Sequence, residues 1–224
     1  MALRAKYVAL DSGLKVTSQI KTIIKKRKDD IIQDPEKAYF KLLELVEQAM
    51  HARIIADAIW KYCWDRVSRT GEQNLVVRFS QVALDNFTVL QLWKLFDRKS
   101  VFHVWDVAEY LNKSNLTAWL NNKIAEKQIQ EDIKIIDEWR HVAIGHRSEV
   151  GYFAPDIHEK KFTTGRSSEK RLHDFLLDFL CQIRLELRQT PVAETMEGLR
   201  MGLMGFEAHI KNEMKKVFKD YDKK

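Results

Sequence analysis

One short segment, residues 138–148 (EWRHVAIGHRS), concentrates side chains suited to chemistry on a phosphodiester. Two arginines, Arg140 and Arg147, and two histidines, His141 and His146, lie within eight residues of one another. Arginine is a permanently charged, forked ligand for phosphate, and histidine can transfer a proton near neutral pH. Metal-independent RNA cleavage needs both abilities. One group must move protons at the 2′-hydroxyl or the 5′-oxygen, and another must neutralise charge growing on the phosphate.

Geometry sets a condition on this chemistry, because residues six apart on a straight helix point about 120° apart. Arg140 and His146 therefore converge only if the helix ends or bulges between them, and Gly145 is a natural helix stop. The alternative is a plain helix C-terminus, where His141, His146 and Arg147 interact favourably with the negative end of the helix dipole. Spacing alone favours that alternative. Comparable arginine–histidine spacings that chance would produce are Arg98–His103 and Arg166–His173.

Composition narrows the classes of protein that this chain can belong to. It has 224 residues with 38 basic and 32 acidic side chains, and the net charge of +6 suits a polyanion such as nucleic acid without requiring one. No apolar run is long enough for a membrane span or a signal peptide, and Cys63 and Cys181 have no metal or disulfide spacing. Phosphate-loop, dinucleotide-binding, zinc-protease and serine-hydrolase motifs are missing. We therefore expect a cytoplasmic protein with no cofactor, no metal and no membrane partner.

The elements that must position this segment are predicted to be helices. Only eight glycines and three prolines interrupt long runs with apolar residues at helical spacing, which indicates an all-α bundle of six or seven helices. Residues 146–167 lose the pattern and predict a long irregular loop that could include a short hairpin. The expected helices run from Pro35 (N-cap Asp34) to about Trp64, Leu75 to Leu95, Val101 to Leu111 (N-cap Ser100), Leu116 to about Gly145 (N-cap Ser114 or Asn115), Ser168 to about Leu187, and Ala193 to about Phe218.

Three regions follow from this pattern. Residues 1–34 form an arm and a basic helix, whose run Lys25–Lys28 is either a solvated face, which we favour, or a phosphate-facing patch. Residues 35–190 form the bundle, and residues 191–224 form a C-terminal helix packed on the bundle or at a dimer interface. The Met-rich stretch 199–206 of that helix favours core or self-association, with binding of a protein partner as a further alternative. The six tryptophans favour core or interface packing over a base-stacking platform.

The segment Arg140-His141-x4-His146 resembles the signature of the HEPN superfamily (higher eukaryotes and prokaryotes nucleotide-binding domains). That signature is an arginine, usually followed by a polar residue, and then a histidine four to six positions later. The surrounding WRHVAIGHRS is similar to the family's R…-I-A-H-R block, with Gly145 where alanine often stands. Residues 82–100 (VALDNFTVLQLWKLFDRKS) resemble a helix-end segment of the abortive-infection AbiU-type branch. The resemblance covers about residues 35–185.

The resemblance implies a compact helical bundle that forms homodimers, with the two signatures meeting at one cleft. Many members are metal-independent endoribonucleases that leave a 2′,3′-cyclic phosphate and act in phage defence or as toxins, some with a nucleotidyltransferase-type antitoxin. Carried over by position, Arg140 would bind and polarise the phosphate and His146 would transfer a proton. The supporting or RNA-binding side chains would be His141, Arg147, Glu138 and Arg98. Other members have lost catalysis and only bind RNA, nucleotides or proteins, and that alternative stays open.

Overall fold

The computed structural model describes residues 34–70, 75–100, 102–111, 113–141, 155–188 and 190–221. Within these ranges the chain forms seven α-helices and no strand, so the predicted all-α class is confirmed. In chain order the helices are α1 (Pro35–Thr70), α2 (Leu75–Phe96), α3 (Val104–Tyr110), α4 (Ser114–Ala125), α5 (Lys127–Arg140), α6 (Pro155–Arg188) and α7 (Val192–Tyr221). The predicted arm and basic helix, with Lys25–Lys28, lie outside the described residues.

The start of α1 follows the predicted N-cap chemistry. One Asp34 carboxylate oxygen accepts hydrogen bonds from the backbone N–H groups of Glu36 and Lys37, at 3.0 and 3.3 Å. Pro35 occupies the first helical position, where its missing N–H has no cost. The two residues together fix the beginning of the longest described helix.

The core lies where the long helices meet. α1 packs against α2, α6 and α7, and α5 packs against both α2 and α6. Aromatic rings extend this core, because Trp119 stacks on both Phe175 and Phe179 with ring centroids 5.8 and 5.9 Å apart. The largest fully buried apolar side chains include Leu42, Leu92, Leu95, Leu116, Leu120, Ile136, Leu172, Leu176, Phe179, Leu180 and Ile183.

Most of the tryptophans belong to this core, as their spacing predicted. Those buried in it or packed against it are Trp93, Trp105, Trp119 and Trp139. Trp60 is different, since 43% of it remains exposed. The side chain of Trp64 lies outside the described residues.

Two helix starts differ from the sequence prediction. The N-cap of α3 is His103 rather than Ser100: its Nδ1 accepts the N–H of Asp106, whose carboxylate accepts the N–H of His103, each at 3.2 Å. The helix predicted from Leu116 to Gly145 is also wrong, because the chain breaks at Glu126. The apolar spacing explains the break. Ile129 lies five positions after Ile124, and on a straight helix that step would turn one of the two side chains about 140° away from the other and so from the core.

The largest correction concerns α6, which begins at Pro155 and not near Ser168. The second half of the predicted loop, from Pro155 onward, is therefore helical and contains no hairpin strand. Gly165, taken as a loop signal, lies buried inside this helix against Trp139. Residues 142–154, where the first part of that loop was predicted, lie outside the described residues.

The C-terminal helix α7 packs on α1 and α6. Leu199 and Leu203 lie against the core, whereas Met201 and Met204 are 65% and 68% exposed. The Met-rich stretch is thus divided between a packed face and an exposed one. Among the described helices, none is long and apolar enough to cross a membrane.

Candidate functional site

Arg140 is the last residue of α5, and two neighbours fix its side chain. Its Nε and Nη2 donate to the same oxygen of Asp137, at 3.2 and 3.0 Å. The guanidinium carbon lies 4.1 Å from the ring centroid of Trp93, within the range of a cation–π contact. The side chain keeps 24% of its surface exposed. A preformed, partly exposed guanidinium therefore stands where the predicted motif begins.

His141 lies directly beside this guanidinium. Its Nε2 is in hydrogen-bond contact with Nη2 of Arg140 and lies 3.7 Å from Oδ1 of Asp137. Because an arginine N–H can only donate, the contact requires His141 Nε2 to accept, which places the ring proton on Nδ1. The imidazole is 59% exposed and can reach solvent or a bound molecule.

The other predicted site residues have different positions. His146 and Arg147 lie outside the described residues. Glu138 is 57% exposed and pairs with Lys134 at 3.7 Å. Arg98 lies over the ring of Trp105, with its guanidinium carbon 4.6 Å from the centroid. Within the described residues, the structure thus joins Arg140 to His141 but does not bring Glu138 or Arg98 to them.

A pocket of about 310 Å³ opens next to Arg140. Trp93 and Asp137, the two residues that hold the guanidinium, also form part of its wall. The remaining lining residues are Phe96, Asp97, Gln130, Ile133, Lys134 and Ile136. Aromatic, aliphatic and charged groups therefore share one concave surface.

Trp139, the residue before Arg140, is held in position by a close contact between α5 and α6. A Cβ atom added to Gly165 of α6 would lie 2.4 Å from Cε3 of Trp139. Only a glycine lets the indole approach the α6 backbone this closely. Since Arg140 follows Trp139 directly, the position of α6 sets the place of the guanidinium.

Next to Gly165 begins a buried group of charges that we call the charge cluster: Arg53, Asp57, Asp85, Arg166 and Glu169. Arg53 of α1 is its centre, with one Nη1 atom 2.8 Å from Asp85 of α2 and 3.2 Å from Glu169 of α6. Arg166 contacts Asp57 at 2.8 Å. Asp57 is 51% exposed and Glu169 only 1%, so the cluster runs from the surface into the bundle. It joins three helices through charge.

Burial changes the acid–base properties of this region. Burial raises the pKa of Glu169 to about 7, against the opposing effect of Arg53. Burial likewise raises the pKa of Asp85, although Arg53 and Arg166 oppose it. Burial lowers the pKa of His173, one turn along α6, to about 3, and the charge of Arg53 adds to that effect. Among the described residues, Glu169 Oε1 and His173 Nε2 have no hydrogen-bond partner.

Sequence reasoning missed the charge cluster, although a partial signal was present. Arg53 and Asp57 lie four residues apart on α1, and Arg166, Glu169 and His173 share one face of α6 at helical spacing. Such pairs usually lie on solvated faces, and the spacing of Arg166 and His173 looked accidental. Only the packing of α1, α2 and α6 shows that these faces meet.

The described residues contain no group of three or more His, Cys, Asp or Glu side chains that could hold a metal ion. Comparison of the chain with protein-family models, with curated proteins and with solved structures finds no match.

Proposed function

We propose that this chain is a metal-independent endoribonuclease of the HEPN type, acting in phage defence or as the toxin of a toxin–antitoxin system. The observation that supports it best is the position of Arg140. Arg140 is the last residue of α5 in an all-helical bundle and the first residue of the R-H-x4-H sequence. Its guanidinium is oriented by Asp137 and Trp93. The resemblance implies that this arginine binds the phosphate.

In this proposal Arg140 binds the scissile phosphate and neutralises charge on its oxygens in the transition state. Asp137 engages Nε and Nη2, and His141 contacts Nη2 as well, so of the five N–H donors of the guanidinium the phosphate uses the two on Nη1. His146 transfers a proton as the ribose 2′-oxygen attacks phosphorus. The 2′-hydroxyl loses its proton, the bond to the 5′-oxygen breaks, and that oxygen leaves with a proton, giving a 2′,3′-cyclic phosphate.

Supporting roles follow from the same scheme. His141, which contacts Arg140 directly, would hold the guanidinium or a substrate oxygen. Arg147, Glu138 and Arg98 are proposed as supporting or RNA-binding residues. We further propose a homodimer with the two motifs at one cleft, RNA as the substrate and a nucleotidyltransferase-type antitoxin as a partner.

The test is cleavage of mixed RNA substrates in excess EDTA by the wild type, Arg140→Ala and His146→Ala. Matched controls are Arg200→Ala and His209→Ala, since both of these α7 residues are exposed. We expect cleavage by the wild type and both controls, and none by the two motif variants. Circular dichroism establishes that every variant folds. Equal cleavage by wild type and Arg140→Ala would overturn the proposal.

A second function is supported by the same contacts. Asp137 already pairs with Arg140, and Trp93 already covers one face of its guanidinium, so the arginine can take part in binding without stabilising a transition state. The alternative is thus a non-catalytic HEPN-like module that binds RNA, nucleotide or a protein partner. It predicts RNA binding without turnover, with an affinity that falls steeply as salt rises.

A further inference from the structure

The pocket beside Arg140 has features that neither the motif nor the proposed catalytic scheme uses. Trp93 and Asp137 line the pocket and also contact Arg140, so a molecule in the pocket would be separated from the guanidinium by a single side chain. Its volume of about 310 Å³ is at the small end of ligand sites, which suits one base or nucleoside rather than a longer segment.

The apolar part of the wall suits a flat ring. Phe96 and Ile136 are buried and form an apolar surface together with the half-buried Ile133. Trp93 adds an aromatic ring that is partly buried and has the Arg140 guanidinium over one face. Nucleobases stack on such rings whatever their sequence, because every base has a π-face.

The polar part of the wall selects among the bases. It carries two carboxylates, Asp97 and Asp137, the Gln130 amide and the Lys134 ammonium group. An ionised carboxylate only accepts hydrogen bonds, so its partner must present donors. Guanine presents two adjacent donors, N1–H and the N2 amino group, whereas adenine, cytosine and uracil present no two adjacent donors along that edge. Lys134 can donate to the O6 and N7 acceptors of guanine.

Asp97 is the better placed of the two carboxylates to read the base. Asp137 is occupied with Arg140, whereas one oxygen of Asp97 accepts the backbone N–H of Lys99 at 3.0 Å. That bond orients the carboxylate in the turn that follows α2. The half-buried Asp97 therefore offers a fixed acceptor at the rim of an aromatic pocket.

We infer that this pocket binds a guanine base, with Trp93 and Phe96 as the apolar wall and Asp97 as the residue that selects guanine. The inference rests on the proposed function for one point only, that the guanine belongs to the RNA strand next to the scissile phosphate. Binding of the base itself does not depend on cleavage.

Titration calorimetry of the full chain with GMP, AMP, CMP and UMP tests the pocket, and a short RNA with a single G separates a strand from a free nucleotide. We expect GMP to bind at least about tenfold more tightly than the other three. Asp97→Asn keeps the oxygen that accepts from Lys99 but adds a donor, and should remove that preference. Asp174→Asn, an exposed carboxylate on α6, is the control and should keep it.

The outcomes separate this inference from the proposed function. A GMP preference that Asp97→Asn abolishes supports the pocket even if the protein cleaves no RNA. Equal affinity for the four nucleotides, or a preference that Asp97→Asn leaves intact, overturns it even if cleavage occurs. If RNA is cleaved, mapped cuts should lie next to G, and cuts without base preference would overturn the placement in the strand. Tight binding of GMP without binding of the G-containing RNA would overturn that placement too.

Discussion

Replacing Glu169 by glutamine should change how stability depends on pH. Glu169 is almost fully buried, and the charged groups that act on it are Arg53 and Asp57 of α1, Asp85 of α2 and Arg166 of α6. Burial raises its pKa from the ordinary value of 4.5 to about 7. Glutamine has nearly the same shape but cannot ionise, so Glu169→Gln removes the titration while largely keeping the packing.

The sign follows from proton binding. Between pH 4.5 and about 7 the folded chain keeps a proton on Glu169 that the unfolded chain has lost. Folding stability from this group is therefore complete below pH 4.5 and is lost as the pH rises to 7. A change of 1.36 kcal/mol per pH unit gives roughly 3 kcal/mol over that range. As the pH rises from 4.5 to about 7, the free energy of unfolding of Glu169→Gln should therefore increase, relative to that of the wild type, by up to this amount.

His173 has the opposite effect and hides the first in the wild type. Its pKa falls from 6.5 to about 3 in the folded chain, so its contribution is present above pH 6.5 and is lost as the pH falls. Between pH 4.5 and 6.5 the two slopes nearly cancel. In Glu169→Gln the His173 slope remains, and stability should fall by about 1.4 kcal/mol for each pH unit below 6.5.

Urea unfolding followed by far-ultraviolet circular dichroism, at half-unit steps from pH 4.5 to 8, measures this difference. Glu197→Gln, on the exposed side of α7, is the matched control and should parallel the wild type at every pH. A difference between Glu169→Gln and the wild type that stays constant from pH 4.5 to 7 would refute the reasoning. It would mean that Glu169 is ionised throughout.

Two further substitutions test the contacts that place α5 on α6. Gly165→Ala should destabilise the fold by about 1–3 kcal/mol, because its Cβ would lie 2.4 Å from the rigid ring of Trp139. Gly198 has open space around it, so Gly198→Ala should instead stabilise α7 by about 0.5–1 kcal/mol. If urea unfolding showed that both variants stabilise the chain, or that both destabilise it, the tight contact of Gly165 with Trp139 would be contradicted. Asp132→Ala should cost about 1.5–3 kcal/mol, since it removes a fully buried carboxylate that accepts from Arg171 at 2.6 and 2.8 Å. If Asp132→Ala unfolded at the same temperature as the wild type, the stabilising role of the Asp132–Arg171 pair would be contradicted.

Local signals in the sequence predicted those helix ends that local chemistry determines. Asp34 and Pro35 begin α1, and Pro191 precedes α7. Long-range packing overrode the signals elsewhere. Gly165 indicates a turn when read alone, but its lack of a side chain serves the approach of Trp139. The break at Glu126 has no glycine or proline to mark it and follows from the phase of the apolar residues on either side.

The candidate site shows the same division. Spacing predicted that Arg140 lies near the C-terminal end of a helix, although that helix was expected to run to about Gly145 and α5 ends at Arg140. Trp93, which supports the guanidinium, lies 47 positions earlier on another helix. The charge cluster is more remote still, since Arg53 and Glu169 are 116 positions apart. No local pattern encodes contacts of this kind.

The charge cluster has a consequence for how the helices can move. Apolar helix faces repeat every three or four residues, so one helix can slide a full turn along another and still find leucines opposite leucines. A slide of α1 by one turn, about 5.4 Å, would carry Arg53 beyond reach of Asp85 and Glu169, and Asp57 beyond reach of Arg166, so the ion pairs that join α1 to α2 and α6 would be lost. The charges therefore admit a single register of α1 against α2 and α6. The contact of Gly165 with Trp139 joins α5, and with it Arg140, to the same helix α6.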